Sequence, residues 1–177
     1  MFSSKKAVSE PASSDQLRAE ILEYLRTHNT LTIACCEGDC PWAAAVFYAS
    51  DGFDLYFFSN PASRHGVHIS ANQHVSATIH EDYSQWKDIR GIQLEGRASK
   101  VRSPKLKIRG WEVYRNKFPF VDEFFSEGPF RKIVEAKLSG ICLYRIVPQA
   151  IWYLDNSKGF GHREMLSLSR DRTRSQA

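Results

Sequence analysis

The strongest constraint in this chain is a two-residue hydrophobic period that sets in after residue 30 and is broken by very short turns. Leu31, Ile33 and Cys35 alternate with Thr32, Ala34 and Cys36, and Gly38-Asp39 marks a turn before an extended run from Trp42 to Ala49. Asp51-Gly52 is a second hairpin signal, because both residues tolerate positive φ, and Phe53 to Ser59 reads as a third strand. Parallel neighbours need a crossover of roughly a dozen residues. Three strands joined this closely therefore form an antiparallel meander.

Ahead of the meander, Ser13 with Gln16 makes a capping-box signal, and Leu17, Ile21, Leu22 and Leu25 fall on one stripe. This predicts a helix from about Asp15 to His28. Residues 1–13 carry almost no large apolar side chain, too little to offset chain entropy, and read as a disordered arm. Beyond the meander, Asn60-Pro61 stops the third strand, and residues 62–71 suit a short helix with Val67 and Ile69 as its apolar positions. Val75, Ala77 and Ile79 alternate as a fourth strand. Ile89 to Val101 reads as a long fifth, with Gly91 and Gly96 as bends or bulges. Ser103-Pro104 opens a helix, with Ser as its cap, that runs to about Lys117. Pro119 and Gly128-Pro129 then break the chain into short helical pieces, and strand-like alternation returns at 140–147 and 150–154. Helices kept to the ends or one side of such a sheet give an α+β or barrel architecture.

The 177 residues suit one domain, and a formal charge of +4 is too mild to demand nucleic acid. Lys105, Lys107, Arg109, Arg115 and Lys117 are spread along one helix, as on a solvated face. No run approaches the roughly 20 apolar residues of a membrane span, and no signal-peptide core follows the first residues. A soluble, cytoplasmic protein is the expectation. Cys35, Cys36, Cys40 and Cys142 match no zinc or redox spacing and read as buried, reduced thiols. His65 and His68 lack a third ligand at a fitting spacing, so no metal is expected, and His68, His74 and His80 read as surface or interface side chains.

Chemistry concentrates in Phe57-Phe58-Ser59-Asn60-Pro61-Ala62-Ser63-Arg64-His65, where a strand ends and a helix begins with a hydroxyl and a guanidinium. Free N–H groups and the dipole at a helix N-terminus favour an anion, and Arg adds a fork that binds two phosphate oxygens. The plainer alternative has Ser63 capping the helix and Arg64 in solvent.

This segment resembles the flavin-phosphate segment of the pyridoxamine 5′-phosphate oxidase-like split-barrel proteins. Gly38-Asp39-x-Pro41-Trp42 is similar to the family's first hairpin, and residues 89–98 are similar to its central strand. The resemblance implies a six-stranded antiparallel split β-barrel with flanking helices over residues 14–165, followed by a flexible basic tail at 166–177. It further implies a homodimer with flavin mononucleotide (FMN) at the interface. On that pattern Ser63, Arg64 and His65 hold the phosphate, while Ala45, Val46, Phe47, Phe58 and Ser59 line the ring or ribityl chain. His65 stands where many members have lysine. Ala44 and Gly91 replace residues that contact ligand in the vitamin B6 oxidases, which points away from pyridoxamine phosphate as substrate. Residues 155–163, Asp-Asn-Ser-Lys-Gly-Phe-Gly-His-Arg, resemble the tail of an uncharacterised bacterial branch of the family. There Phe160 is expected near the flavin, with His162 or Arg163 facing substrate or phosphate, or else the segment is a glycine-rich turn sealing the barrel. Trp86, Trp111 and Trp152 are candidates for the cleft, the core or the dimer contact.

The leading function is a flavin-dependent oxidoreductase acting on a small molecule, without nucleic acid or membrane as partner. The alternatives are a non-catalytic flavin carrier, a haem-handling protein with His162 as ligand, or a deazaflavin in the same groove.

Overall fold

The computed structural model describes residues 14–121 and 140–168. Eight strands form one antiparallel sheet: β1 (Thr30–Glu37), β2 (Cys40–Phe47), β3 (Ala49–Asp51), β4 (Asp54–Ser59), β5 (His74–His80), β6 (Arg90–Lys100), β7 (Cys142–Asp155) and β8 (Arg163–Ser167). Their order is β2-β1-β5-β6-β7-β4-β3, with β8 beside β7. Among the described residues three α-helices accompany them: α1 (Ser14–Thr27), α2 (Arg64–Ala71) and α3 (Pro104–Lys117).

The meander forms as its turns require. Gly38 has φ 55° between β1 and β2, and Gly52 has φ 59° between β3 and β4. Among the described residues the sheet has eight strands where six were expected, for two local reasons. The run from Cys40 to Asp51 divides into β2, paired to β1, and β3, paired to β4, so the chain changes sheet neighbours at Tyr48. The second reason is β8, where Leu166 and Leu168 are buried. The folded part thus continues past residue 165 into the segment expected to be a flexible tail. Residues 169–177, the arm at 1–13, the cap position Ser13, and the pieces expected around Gly128-Pro129 lie outside the described residues.

β7 is one strand where two were expected, and it explains how the barrel splits. One of its edges pairs with β6 along almost its whole length. The other edge holds β4 at Cys142–Ile146 and β8 at Ala150–Leu154. Pro148, which has no N–H to donate, sits where that edge changes partner. Opposite it the ladder shifts between Glu95 and Gly96, a β-bulge that leaves Gln149 as the extra residue.

The core fills the concave side of the sheet. Ile33, Tyr48, Leu55, Phe57, Ile92, Ile146 and Ile151 pack there with Ile21 and Leu25 of α1, all wholly buried. Leu22 lies at the solvent edge at 36% exposure, and Tyr24 takes its place on the buried stripe. Tyr48 donates its hydroxyl to the Leu25 carbonyl at 2.9 Å, and the Lys117 ammonium donates to the carbonyls of Leu25 and His28. Together they satisfy carbonyls that the end of α1 would leave unpaired.

α3 lies close on β4 and β7 because Gly110 has no side chain: a Cβ there would sit 2.7 Å from both Tyr56 and Leu143. Arg109 clamps it to Asp51 through two bonds of 2.7 and 2.8 Å. Ser103 makes no side-chain capping bond, so Pro104 alone sets the start of this helix. Among the described residues no helix is long and apolar enough to cross a membrane.

Candidate functional site

β4 ends at Ser59 and the chain turns directly into α2. Asn60 shapes the turn, its Oδ1 accepting from Ala62 N at 2.8 Å and its carbonyl accepting from Ser63 N at 2.9 Å. Gly66 permits the tightness, because a Cβ there would meet the carbonyl oxygens of Pro61 and Asn60 at 2.7 and 2.8 Å. Ser63 caps α2, its Oγ accepting from Gly66 N at 3.2 Å.

The turn gathers three polar side chains. His65 Nε2 lies 2.6 Å from Ser59 Oγ and 3.1 Å from Ser63 Oγ, and the two hydroxyls are 3.3 Å apart. Burial lowers the His65 pKa below its ordinary value, which favours the neutral imidazole. Arg64 stacks on Trp42 of β2, with its guanidinium carbon 4.5 Å from the ring centroid. Among the described residues it has no carboxylate partner. Two hydroxyls, an imidazole, a guanidinium and the N–H groups opening α2 compose a donor set for an anion. Capping and anion binding are compatible at Ser63, since an oxygen accepting from Gly66 still has its own proton to donate.

The structure thus joins Ser59, Ser63 and His65, and holds Arg64 over Trp42, which the sequence reading left unassigned. That stacking depends on where α2 lies over the β1–β2 hairpin, which local sequence does not encode. Phe58 and Phe47 belong to one aromatic cluster. Phe58 meets Trp111 and Tyr114 edge-on at 5.9 and 4.9 Å, Tyr114 touches Phe118, and Phe118 meets Phe47 at 5.5 Å. Phe47 is still 50% exposed, and Ala45 is exposed and Val46 half-buried on the edge strand β2.

The tail lies elsewhere in the protomer. Phe160, 84% exposed, rests edge-on against Trp86 at 5.6 Å. His162 Nε2 is 3.0 Å from Glu164 Oε1, which also accepts from Lys158 at 3.1 Å. Arg163 reaches a groove of about 470 Å³ on the outer sheet face, beside Trp152, Gln93, Thr32 and Thr78. Among the described residues no hydrogen bond, ion pair or ring contact joins this tail to the Ser59–His65 cluster. Within one chain the predicted set therefore divides in two.

Asn156 fastens the tail. Its Nδ2 donates to the Trp86 carbonyl at 2.7 Å, its Oδ1 accepts from Gly161 N at 2.9 Å, and its own N–H donates to the Ile89 carbonyl at 3.0 Å. Asn156→Ala removes two bonds from a buried position, at a cost of about 1–3 kcal/mol. Hydrogen exchange at Gly161 and His162 should accelerate and the melting temperature should fall. An unchanged exchange rate there would refute the fastening role.

Two sequence expectations need correction. His68 is buried at 5% exposure, because its face of α2 packs on β1, where its Nε2 lies 3.8 Å from Glu37 Oε2. Of the cysteines only Cys35 is buried; Cys36 and Cys142 are half-exposed and Cys40 is exposed near the hairpin tip. Among the described residues no three His, Cys, Asp or Glu side chains are grouped to hold a metal.

Comparison with known proteins agrees with this architecture. A UPF0306 protein of Photorhabdus laumondii is 30% identical over 90 residues, 50% of this chain and 63% of that relative's length. A conserved hypothetical protein of Mycobacterium tuberculosis shares the fold with a TM-score of 0.65 at 21% identity, over 88% of this chain and 92% of its own. A haem-binding protein of Mycobacterium smegmatis does so with a TM-score of 0.64 at 15% identity, over 90% of this chain and 60% of its own. The family model described as pyridoxamine 5′-phosphate oxidase matches residues 17–141, from α1 through the β4–α2 turn to the threshold of β7. Over that span, well beyond half its length, the chain belongs to the pyridoxamine 5′-phosphate oxidase family.

Proposed function

We propose that this protein binds FMN at the β4–α2 turn and works as a flavin-dependent oxidoreductase on a small molecule. One observation carries the reading: Ser59, Ser63 and His65 converge within hydrogen-bond distance at the start of α2, where Arg64 has no carboxylate partner among the described residues. These residues fit a phosphate monoester in charge and in number of donors. Phe58 leads into the turn, and the exposed face of β2, with Ala45 and Phe47, offers apolar surface for a ring. When bound, the isoalloxazine supplies hydride or electron transfer. The chain's own work is to grip the phosphate, shield the ring and orient a substrate.

Homodimerisation belongs to the same proposal. The groove beside Trp152 and Arg163 lies on an outer sheet face bearing small side chains such as Thr32, Ala34, Ser76 and Thr78. Sedimentation of the full chain tests homodimerisation, with a dimer expected.

A haem-handling role is less well supported by the geometry. His162 Nε2 faces Glu164 at 3.0 Å, a contact that an iron bound at that nitrogen would displace. Reconstitution with FMN should give a flavin visible spectrum and a raised melting temperature. Absence of both would end the flavin reading. A Soret band on haem titration, lost in His162→Ala, would replace it with the haem one, and mass spectrometry of co-purified ligand would expose a deazaflavin.

A further inference from the structure

We propose that His65 makes anion capture at the β4–α2 turn proton-coupled, so that a phosphate monoester dianion enters together with one proton. The inference rests on the phosphate-site reading above and deepens it.

Hydrogen-bond accounting carries the argument. One ring nitrogen of His65, Nε2, faces both Ser59 Oγ and Ser63 Oγ, while the hydroxyls face each other at 3.3 Å. Three polar atoms therefore share the hydroxyl protons among themselves when nothing else is present. A phosphate would claim those protons, because each hydroxyl has one to donate and a dianion offers only acceptors. Nε2 would then face two oxygens whose protons point away, so it must carry a proton, either as the neutral Nε2–H tautomer or as the imidazolium. Nδ1 has no partner among the described residues and is not sealed from solvent, so water serves it in either state. An incoming double negative charge decides between these two, because it favours the form in which both ring nitrogens are protonated.

The surroundings leave that step to the ligand. On α2 itself, Arg64 is held over Trp42 of β2, and His68 turns toward Glu37 of β1. From β4 come Ser59 and the ring of Phe57, 6.5 Å from the imidazole centroid. From β7 come Cys142, in register with Ser59, and Tyr144, stacked on Phe57. No carboxylate among the described residues contacts His65 to hold a proton in advance. Burial lowers its pKa, with no neighbouring charge among the causes. A phosphate within about 4–6 Å would reverse this, since an opposite charge at that distance favours the protonated form by about 1–3 pH units. A lysine at this position would be charged before and after and would take up nothing.

Calorimetry of the full chain with FMN, in two buffers of different ionisation enthalpy near pH 7, reads the protons bound per ligand. Wild type should take up an appreciable fraction of one proton more than His65→Gln, which reports the ligand's own titration. FMN affinity should weaken about five- to tenfold more in wild type than in His65→Gln between about pH 6.5 and 8.5. His65→Lys should bind FMN without the extra slope, and riboflavin, lacking phosphate, should show no uptake. FMN binding with the same uptake and slope in wild type and His65→Gln would overturn this inference alone. No FMN binding at any pH would overturn the phosphate site and this inference with it.

Discussion

Arg64→Ala should weaken FMN binding about 30- to 150-fold while changing riboflavin affinity less than about threefold. The size follows from removing a charged fork from a phosphate, worth about 2–3 kcal/mol, at roughly tenfold per 1.4 kcal/mol. Folding should be almost indifferent. Arg64 is exposed, pairs with no carboxylate among the described residues, and gives up only a stacking contact with Trp42 worth about 0.5–1 kcal/mol. Riboflavin is the informative control, since it presents the same ring without the phosphate. Equal losses for both ligands would place Arg64 at the ring or in the scaffold, and unchanged FMN affinity would remove it from the site. Trp42→Ala is a milder companion: it frees Arg64 and should cost only a few-fold in FMN affinity.

Why Arg64 was legible in the sequence and Trp42 was not is a matter of range. A strand end, an Asn-Pro turn and a Ser-Arg helix start lie within seven residues, and each has its own local signal. The capping role of Ser63 and the turn-shaping role of Asn60 are visible at that range. The hairpins were legible for the same reason, each marked by a glycine that the backbone holds at positive φ. Trp42 meets Arg64 across 22 positions, through the placement of a helix over a hairpin, and no local pattern announces it. The burial of His68 is a similar case, decided by which face of α2 meets β1.

Strand number failed for a different reason. Alternation shows that a segment is extended but not which neighbour it joins. The run from Trp42 to Ala49 reads as one strand, yet the stretch from Cys40 to Asp51 serves two partners. Around Pro148 the error ran the other way, because a residue that usually ends strands sits inside one. The sheet tolerates it there because the missing N–H falls between the β4 and β8 pairings. β8 carries its signal in Leu166 and Leu168 alone, a short alternation in a segment otherwise rich in charge and serine.

That change of partner predicts the largest stability effect in the chain, at Gly96. A Cβ on Gly96 would lie 2.3 Å from the Val147 carbonyl oxygen and 2.8 Å from the Pro148 Cα, closer than side-chain carbons approach backbone. Neither obstacle can swing aside. Val147 and Pro148 belong to the continuous strand β7, which is held by β6 on one edge and by β4 and β8 on the other. Gly96→Ala should therefore force the bulge open and cost about 3 kcal/mol or more, lowering the melting temperature by roughly 6–12 °C. Gly52→Ala provides the contrast. It strains a positive φ but meets nothing within 4 Å, so its cost should stay near 1 kcal/mol. If the two variants melt together, the β6–β7 crossing is more pliable than its geometry implies. If Gly96→Ala melts far lower yet still binds FMN once folded, the bulge sets the barrel's shape without touching the phosphate grip.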